Sequence, residues 1–221
     1  SSINNGTQVR PKNGCVRVVY GPNRNFPDNA EDVFEDLDYI GTLSSSNTTY
    51  NAQYDYSLIA MNGDFAFKKN SQYLSVFRRD EAVWQHWRDY NLSIAQSSAM
   101  TTFADLLVYN QVDNSVATVK STVFDFITEE FDVASTVTLT NVATTNKGTR
   151  FGYRLSYDGE WLAVSDHTAT VSGQSNAGAV YLYRRGATPN NWTYITEVTS
   201  PANTADAFFG GAVTVNNDWL I

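Results

Sequence analysis

Few side chains in this chain can do chemistry, and their spacing limits what that chemistry is. There are two histidines, His86 between Trp84 and Trp87, and His167. A metalloprotease base or a zinc site needs partners at fixed offsets, as in His-Glu-x-x-His, and none stands beside either ring. Gly173-Gln174-Ser175-Asn176-Ala177-Gly178 comes near a nucleophile turn, but its small polar composition reads as a loop between strands. No phosphate-binding glycine loop and no cysteine pair is present, and the lone Cys15 cannot close an internal disulfide. The acidic cluster Glu31, Asp32, Glu35, Asp36 and Asp38 lacks the alternating spacing and the glycine of a calcium loop, so it reads as a solvated loop. His86 is expected to be packed or at the surface, and His167 to be solvent-exposed. The sequence therefore assigns no catalytic, cofactor-binding or metal-ligating residue, and the chain reads as non-enzymatic.

Two basic pairs recur. Arg78-Arg79 and Arg184-Arg185 each end a β-rich run and are each followed by a tryptophan, Trp84 and Trp192. The expected role is pairing with nearby carboxylates or stacking on those rings, with ligand binding as the sharper alternative. N-glycosylation sequons begin at Asn5, Asn47, Asn91 and Asn191. With Asn at 21 positions and Ser plus Thr at 42 of 221, chance alone gives about four sequons, so their number carries no weight.

The elements that would hold these residues follow from composition and repetition. Charged residues make up 17% of the chain and hydrophobic residues 42%, a balance that excludes intrinsic disorder. A net charge of −8 repels phosphate backbones, which argues against nucleic acid as a partner. No apolar stretch reaches the roughly 18–20 residues of a membrane-crossing helix, so no membrane insertion is expected.

Aligned without gaps, Phe151–Val164, Tyr54–Phe67 and Phe209–Ile221 each open on an aromatic residue and close on an apolar stretch. Each has Leu or Val four positions after that aromatic: Leu155, Leu58 and Val213. A weaker copy starts at Phe103 with Leu107 in that place, giving starts at 54, 103, 151 and 209. Second halves follow, Tyr73–Arg79, Val123–Phe126 and Val180–Arg185, the last delayed by a polar loop over Asp166–Gly178. Asn62-Gly63, Asp158-Gly159 and Asn216-Asn217 are hairpin-turn pairs. About four strands per unit of roughly 50 residues is the pattern of β-propeller blades. Short helical turns over Ala30–Asp38 and Glu81–Tyr90 are the other local readings these stretches allow.

Phe151-Gly152, Leu155, Asp158-Gly159, Leu162-Ala163-Val164, Gly178-Ala179-Val180-Tyr181-Leu182-Tyr183, then Phe209-Gly210 resemble the FG-GAP type of propeller repeat, whose familiar member is the integrin α-subunit head. The match is best over 151–221, moderate over 54–94 and poor over 103–140. Where the family has Gly-Ala-Pro, this chain has Ser165-Asp166-His167 and Lys68-Lys69-Asn70. The resemblance implies that calcium can be bound, but no calcium-loop motif is found, so no metal ligand and no other cofactor is carried over. Ser156-Tyr157-Asp158-Gly159-Glu160-Trp161 also resembles a compressed sialidase Asp box, a structural feature in that family.

The resulting expectation is an all-β chain, a single β-propeller region over 1–221 made of four-stranded antiparallel blades. Its units fall at approximately 10–50, 54–100, 103–148, 151–205 and 209–221. The first reads as a second half and the last as a first half. Two such halves could share one blade and close a ring; the reading favoured is an incomplete ring within a piece of a longer chain. The function expected is a non-enzymatic extracellular structural or adhesive module of a surface, virion or fibre assembly, a secreted glycoprotein that self-assembles into a homo-oligomer or polymer, or that binds other surface proteins. The alternative is a glycan-binding or glycan-hydrolysing propeller, lectin or sialidase-like, with exposed Trp and Tyr as stacking platforms.

Overall fold

The computed structural model describes residues 16–20, 38–43, 59–70, 73–80, 83–91, 99–113, 116–139, 148–188, 190–217 and 219–221. They are all β, with no helix among them and hence none long and apolar enough to cross a membrane. Three four-stranded antiparallel sheets follow one another along the chain. The first is β3 (Ile59–Asn62), β4 (Phe65–Asn70), β5 (Tyr73–Asp80) and β6 (Val83–Asn91). The second is β7 (Met100–Phe103), β8 (Leu106–Asp113), β9 (Val116–Asp125) and β10 (Glu130–Leu139). The third is β11 (Leu155–Tyr157), β12 (Trp161–Asp166), β13 (Ala179–Arg185) and β14 (Trp192–Thr199). In each, sequential strands are spatial neighbours. A two-stranded sheet precedes them, β1 (Val16–Tyr20) with β2 (Asp38–Leu43), and another follows, β15 (Val215–Asn216) with β16 (Trp219–Leu220). Among the described residues no pairing joins these two halves, and no closed ring is formed.

The sheets stack face to face, and the period-2 alternation of strands decides which side chains meet. In β8, Leu107 and Tyr109 face the first sheet, where they meet Phe65, Phe67, Leu74 and Val76. Leu106 and Val108 point the other way, against Leu162, Val164 and Tyr181 of the third sheet. The run Leu106-Leu107-Val108-Tyr109 is apolar without a break because both faces of the middle sheet are covered. Ala163 and Val180 carry the stacking on to Val215 of the last hairpin. First strands of successive units lie side by side, β3 by β7, β7 by β11 and β11 by β15. This is a blade-like architecture.

Phe-Gly joins one unit to the sheet before it. Gly152 has φ +83°, and a Cβ there would fall 2.7 Å from Asn110 Cβ and 2.7 Å from Val119 Cγ2 on β8 and β9. Gly210 repeats this one unit later, with φ +83° and Ser165 Cβ, Val180 Cγ2 and the Ala179 carbonyl oxygen at 3.0–3.2 Å. Both glycines let the incoming backbone lie directly on paired strands that a side chain would hold off.

Three expectations change. Val83–Asn91 is strand rather than helical turn, because a full antiparallel ladder with β5, Arg79 opposite Trp84 and Leu74 opposite Tyr90, satisfies its backbone. Of Ala30–Asp38, Asp38 opens β2 opposite Tyr20, and the rest lies outside the described residues. Phe103 does not open the second unit. It ends β7 opposite Leu106, so the unit's first strand begins at Met100, inside the stretch 54–100 assigned to the unit before it. Phe126, read as the end of that unit's second-half run Val123–Phe126, lies in the turn after β9 rather than in a strand.

Candidate functional site

Turns and basic pairs gather at one end of the sheets. In each described first hairpin a positive-φ residue stands in the turn: Gly63 (+57°), Ala104 (+49°), Gly159 (+104°) and Asn217 (+49°). The residue just before each touches the turn of the next unit. Asn62 Nδ2 donates to the Ala104 carbonyl. The Phe103 ring lies where a Cβ on Gly159 would come within 2.6 Å of it. Asp158 Oδ2 accepts the Asn217 N–H at 2.8 Å. Asp158 Oδ1 meanwhile accepts the N–H groups of Glu160 (3.0 Å) and Trp161 (2.7 Å), so the Asp-box-like segment closes a hairpin.

Both basic pairs work at this end. Within their own sheets, Arg79 bonds Asp64 (2.6 Å) and Arg184 bonds Glu160 (2.6 Å). Across sheets, Arg78 reaches Glu129 (3.0 Å) and Arg185 reaches Asp105, one nitrogen lying 2.8 and 3.0 Å from its two oxygens. Arg185 also donates to the Tyr157 hydroxyl at 3.2 Å, and burial pushes that phenol up from its ordinary pKa while Arg185 pulls it back. The stacking expected on Trp84 and Trp192 falls on other rings: Arg78 lies 5.8 Å from the Trp87 ring and Arg184 5.6 Å from Trp161. Trp192 is tied into the core by its Nε1–H to Ser121 Oγ (2.9 Å).

Between the outer parts of the second and third sheets lies a cavity of about 250 Å³, walled by Val137, Thr138 and Leu139 of β10, Tyr183 of β13, Asn190 and Asn191 of the connecting loop, and Trp192 and Tyr194 of β14. Asn190, 6% exposed, donates through Nδ2 to the Ser135 carbonyl (2.6 Å), while its Oδ1 is buried with no donor. Tyr183 and Tyr194 meet edge to face at 5.7 Å, and burial raises both phenols, Tyr183 strongly.

Neither histidine sits in a catalytic arrangement. Asp89 Oδ1 lies between Ser75 Oγ (2.6 Å) and His86 Nε2 (2.9 Å), so the carboxylate separates the hydroxyl from the ring instead of orienting a base against it. His86 packs edge-on to Phe77 at 5.5 Å. Ser175 stands exposed in a turn whose carbonyl accepts the Asp206 N–H (2.9 Å), and a strand follows it where a nucleophile turn needs a helix.

His167, expected to be exposed, is half-buried. Its ring lies 4.1 Å from that of Tyr153 and its Nδ1 is buried without a partner. Burial chiefly, helped by Arg150 and Arg154 and opposed by Asp166, holds its pKa below the ordinary 6.5. The unfolded chain takes up this proton near 6.5 and the folded protein only at lower pH, so stability is full above that value and falls as pH drops through the window beneath it. Asp166 runs the other way: burial raises its carboxyl above the ordinary 3.8 against the bonds from Thr168 and Gly148, and its effect lies in a more acidic window. The urea midpoint is expected to fall between about pH 7.5 and about pH 5.5, and to fall less in His167→Gln. An identical fall in that variant would remove His167 as the cause.

Asn191 is exposed in the β13–β14 loop, and Asn91 ends β6. Asn5, Asn47, Cys15, Glu31, Asp32, Glu35 and Asp36 lie outside the described residues. Among the described residues no three His, Cys, Asp or Glu side chains group closely enough to hold a metal ion, so those residues do not fit the calcium that the family resemblance implies.

No protein-family model matches this chain, and no curated protein matches it. Solved structures do. One is a crystal structure of a protein from Lactobacillus plantarum, 7% identical, with a TM-score of 0.32, covering 64% of this chain and 55% of that one. The present chain thus spans about half of that neighbour's length, and a likeness at this level carries no argument about fold or function.

Proposed function

We propose that the chain is a run of FG-GAP-type β-propeller blades serving as a non-enzymatic, extracellular structural or adhesive module of a surface, virion or fibre assembly. It acts through protein–protein contacts, self-association among them. One observation carries this reading: the same Phe-Gly joint seats two successive units on the sheet before them, Gly152 on the second sheet and Gly210 on the third. Inter-sheet ion pairs, Arg78 to Glu129 and Arg185 to Asp105, use the recurring basic residues to brace that stack. Sedimentation of the purified protein across concentrations, together with binding screens against surface proteins and glycans, tests it. Association with itself or with a surface protein is expected; a strict monomer with blank screens overturns the proposal.

A further inference from the structure

Opposite charges are left over at the two ends of the sheets, and what they imply rests on the self-association proposed above. At the end where the first hairpins turn, each arginine of the two basic pairs is taken by a carboxylate of its own chain. Among the described residues no cation pairs with Asp80, Asp125 or Asp158 at that end. At the opposite end Arg150 and Arg154 lie exposed, and among the described residues no carboxylate pairs with either. Beside the larger effect of burial, both lower the His167 pKa, which places the two cations around one ring. We propose that the end carrying Arg150, Arg154 and Phe208 docks, head to tail, on the first-hairpin end of a second copy of this chain.

Phe208 supplies the apolar anchor. Its ring is 46% exposed and 6.0 Å from that of His167, on a backbone at φ +50° that bulky residues rarely adopt. The bond from its N–H to the Asn176 carbonyl (2.9 Å) pins that backbone, so a strained main chain holds an aromatic side chain in solvent, as at binding positions. From His167 the rings run on to Tyr153 at 4.1 Å, over which Arg154 lies at 4.1 Å while donating to the Tyr153 carbonyl (3.1 Å). Aromatic residues and arginine are the side chains that interface centres favour. Asp206, two residues before Phe208, is engaged by Asn176 Nδ2 (2.9 Å). The first-hairpin end offers the counterparts, with Phe103 and Ile127 exposed on the same end as its unpaired carboxylates. Two unlike surfaces make a heterologous contact, which repeats from copy to copy.

Sedimentation velocity of the whole chain across concentration and salt tests this. Wild-type protein is expected to associate, at least tenfold more weakly in about 0.5 M than in about 0.05 M sodium chloride. Arg154→Glu alters one end and Asp80→Arg the other; both positions are exposed, so melting temperatures are expected to stay unchanged. Each variant alone is expected to associate at least tenfold more weakly than wild type. An equimolar mixture of the two is expected to regain dimers, because the intact end of each meets the intact end of the other. Phe208→Asn removes the anchor while placing a residue that tolerates positive φ. Its melting temperature is expected to hold or rise while association weakens at least tenfold. If Arg154→Glu does not fold, Phe208→Asn and Asp80→Arg decide. Association indifferent to salt and to these variants, or a mixture that stays monomeric, overturns the head-to-tail contact and leaves self-association standing. A wild-type chain monomeric at every concentration removes both.

Discussion

Phe124→Ala is expected to cost about 3–5 kcal/mol of folding stability, the range for removing a large aromatic side chain from a packed core. Phe124 is 1% exposed and lies at the centre of a ring cluster that joins two sheets. Its ring centroid is 5.0 Å from Phe65, 5.2 Å from Phe67, 5.1 Å from Phe126 and 4.9 Å from Phe131. Phe65 and Phe67 belong to β4 of the first sheet, Phe131 to β10 of the second, so truncation empties the seam between units rather than a space inside one. Packing on either side is set by strands whose backbones are locked in ladders, and the hole cannot close by a small shift. Against a total of about 5–15 kcal/mol for a globular unit, a loss of that size approaches unfolding. Ile127→Ala, three residues along and 94% exposed, is expected to stay within about 0.5 kcal/mol. Urea unfolding followed by circular dichroism measures both. A Phe124→Ala cost below about 1 kcal/mol would mean that the two sheets do not depend on this seam.

The repeat could be read from the sequence, but its phase could not be read everywhere. Phe151-Gly152 and Phe209-Gly210 were legible because the glycine is demanded by contact with the preceding sheet, and a demand of that kind fixes residue type. The second unit misled because aromatic residues occupy more than one structural place: Phe103 stands just before the positive-φ residue of the turn, where the first unit has Asn62 and the third Asp158. A steadier marker is the first hairpin itself, a positive-φ residue followed by an acid. It reads Gly63-Asp64, Ala104-Asp105 and Gly159-Glu160, and in sequence Asn217-Asp218 continues it. Ala104 hides the second of these, since alanine rarely takes φ +49° and nothing in its identity announces a turn.

The basic pairs were legible as a repeated feature, and the choice of carboxylates over tryptophans as chief partners needed the turns to be placed first. Arg185 reaches Asp105 across 80 positions of sequence, a pairing that only the stacking order of sheets creates. The cavity was not legible for the same reason. Val137–Leu139 and Tyr183–Tyr194 come from different units, and each stretch alone reads as an ordinary half-exposed strand. His167 is half-buried although it stands in a polar loop of thirteen residues, Asp166–Gly178, whose composition predicts exposure. In the structure that loop is held by main-chain bonds to the next connection: Ser175, Asn176 and Ala177 carbonyls accept the N–H groups of Asp206, Phe208 and Phe209.

Those bonds make Gly178 the most demanding backbone position in the loop, and Gly178→Ala is expected to cost about 3–5 kcal/mol. Two contributions add. Its φ of +84° is one that an L side chain adopts at about 1–2 kcal/mol. A Cβ there would also stand 2.2 Å from the Phe209 carbonyl oxygen and 2.5 Å from its nitrogen. Overpacking of this kind costs about 1–3 kcal/mol where neighbours can yield, and here the neighbour is main chain pinned by the Phe209 N–H to Ala177 carbonyl bond (3.0 Å) and by Phe208 to Asn176 (2.9 Å). Relief requires the segment from Asp206 to Gly210 to lift, which also unseats the next Phe-Gly joint. Gly63→Ala separates the two contributions, because Gly63 has φ +57° with nothing within 4 Å of the added carbon; its cost is expected at about 1–2 kcal/mol, the backbone share alone. Urea midpoints compare the two variants, and hydrogen exchange of the Phe208 and Phe209 amides reports the lifting directly. Equal costs, or undiminished protection of those amides in Gly178→Ala, would show that the joint tolerates a side chain and that the close approach at Phe209 does not hold the units together.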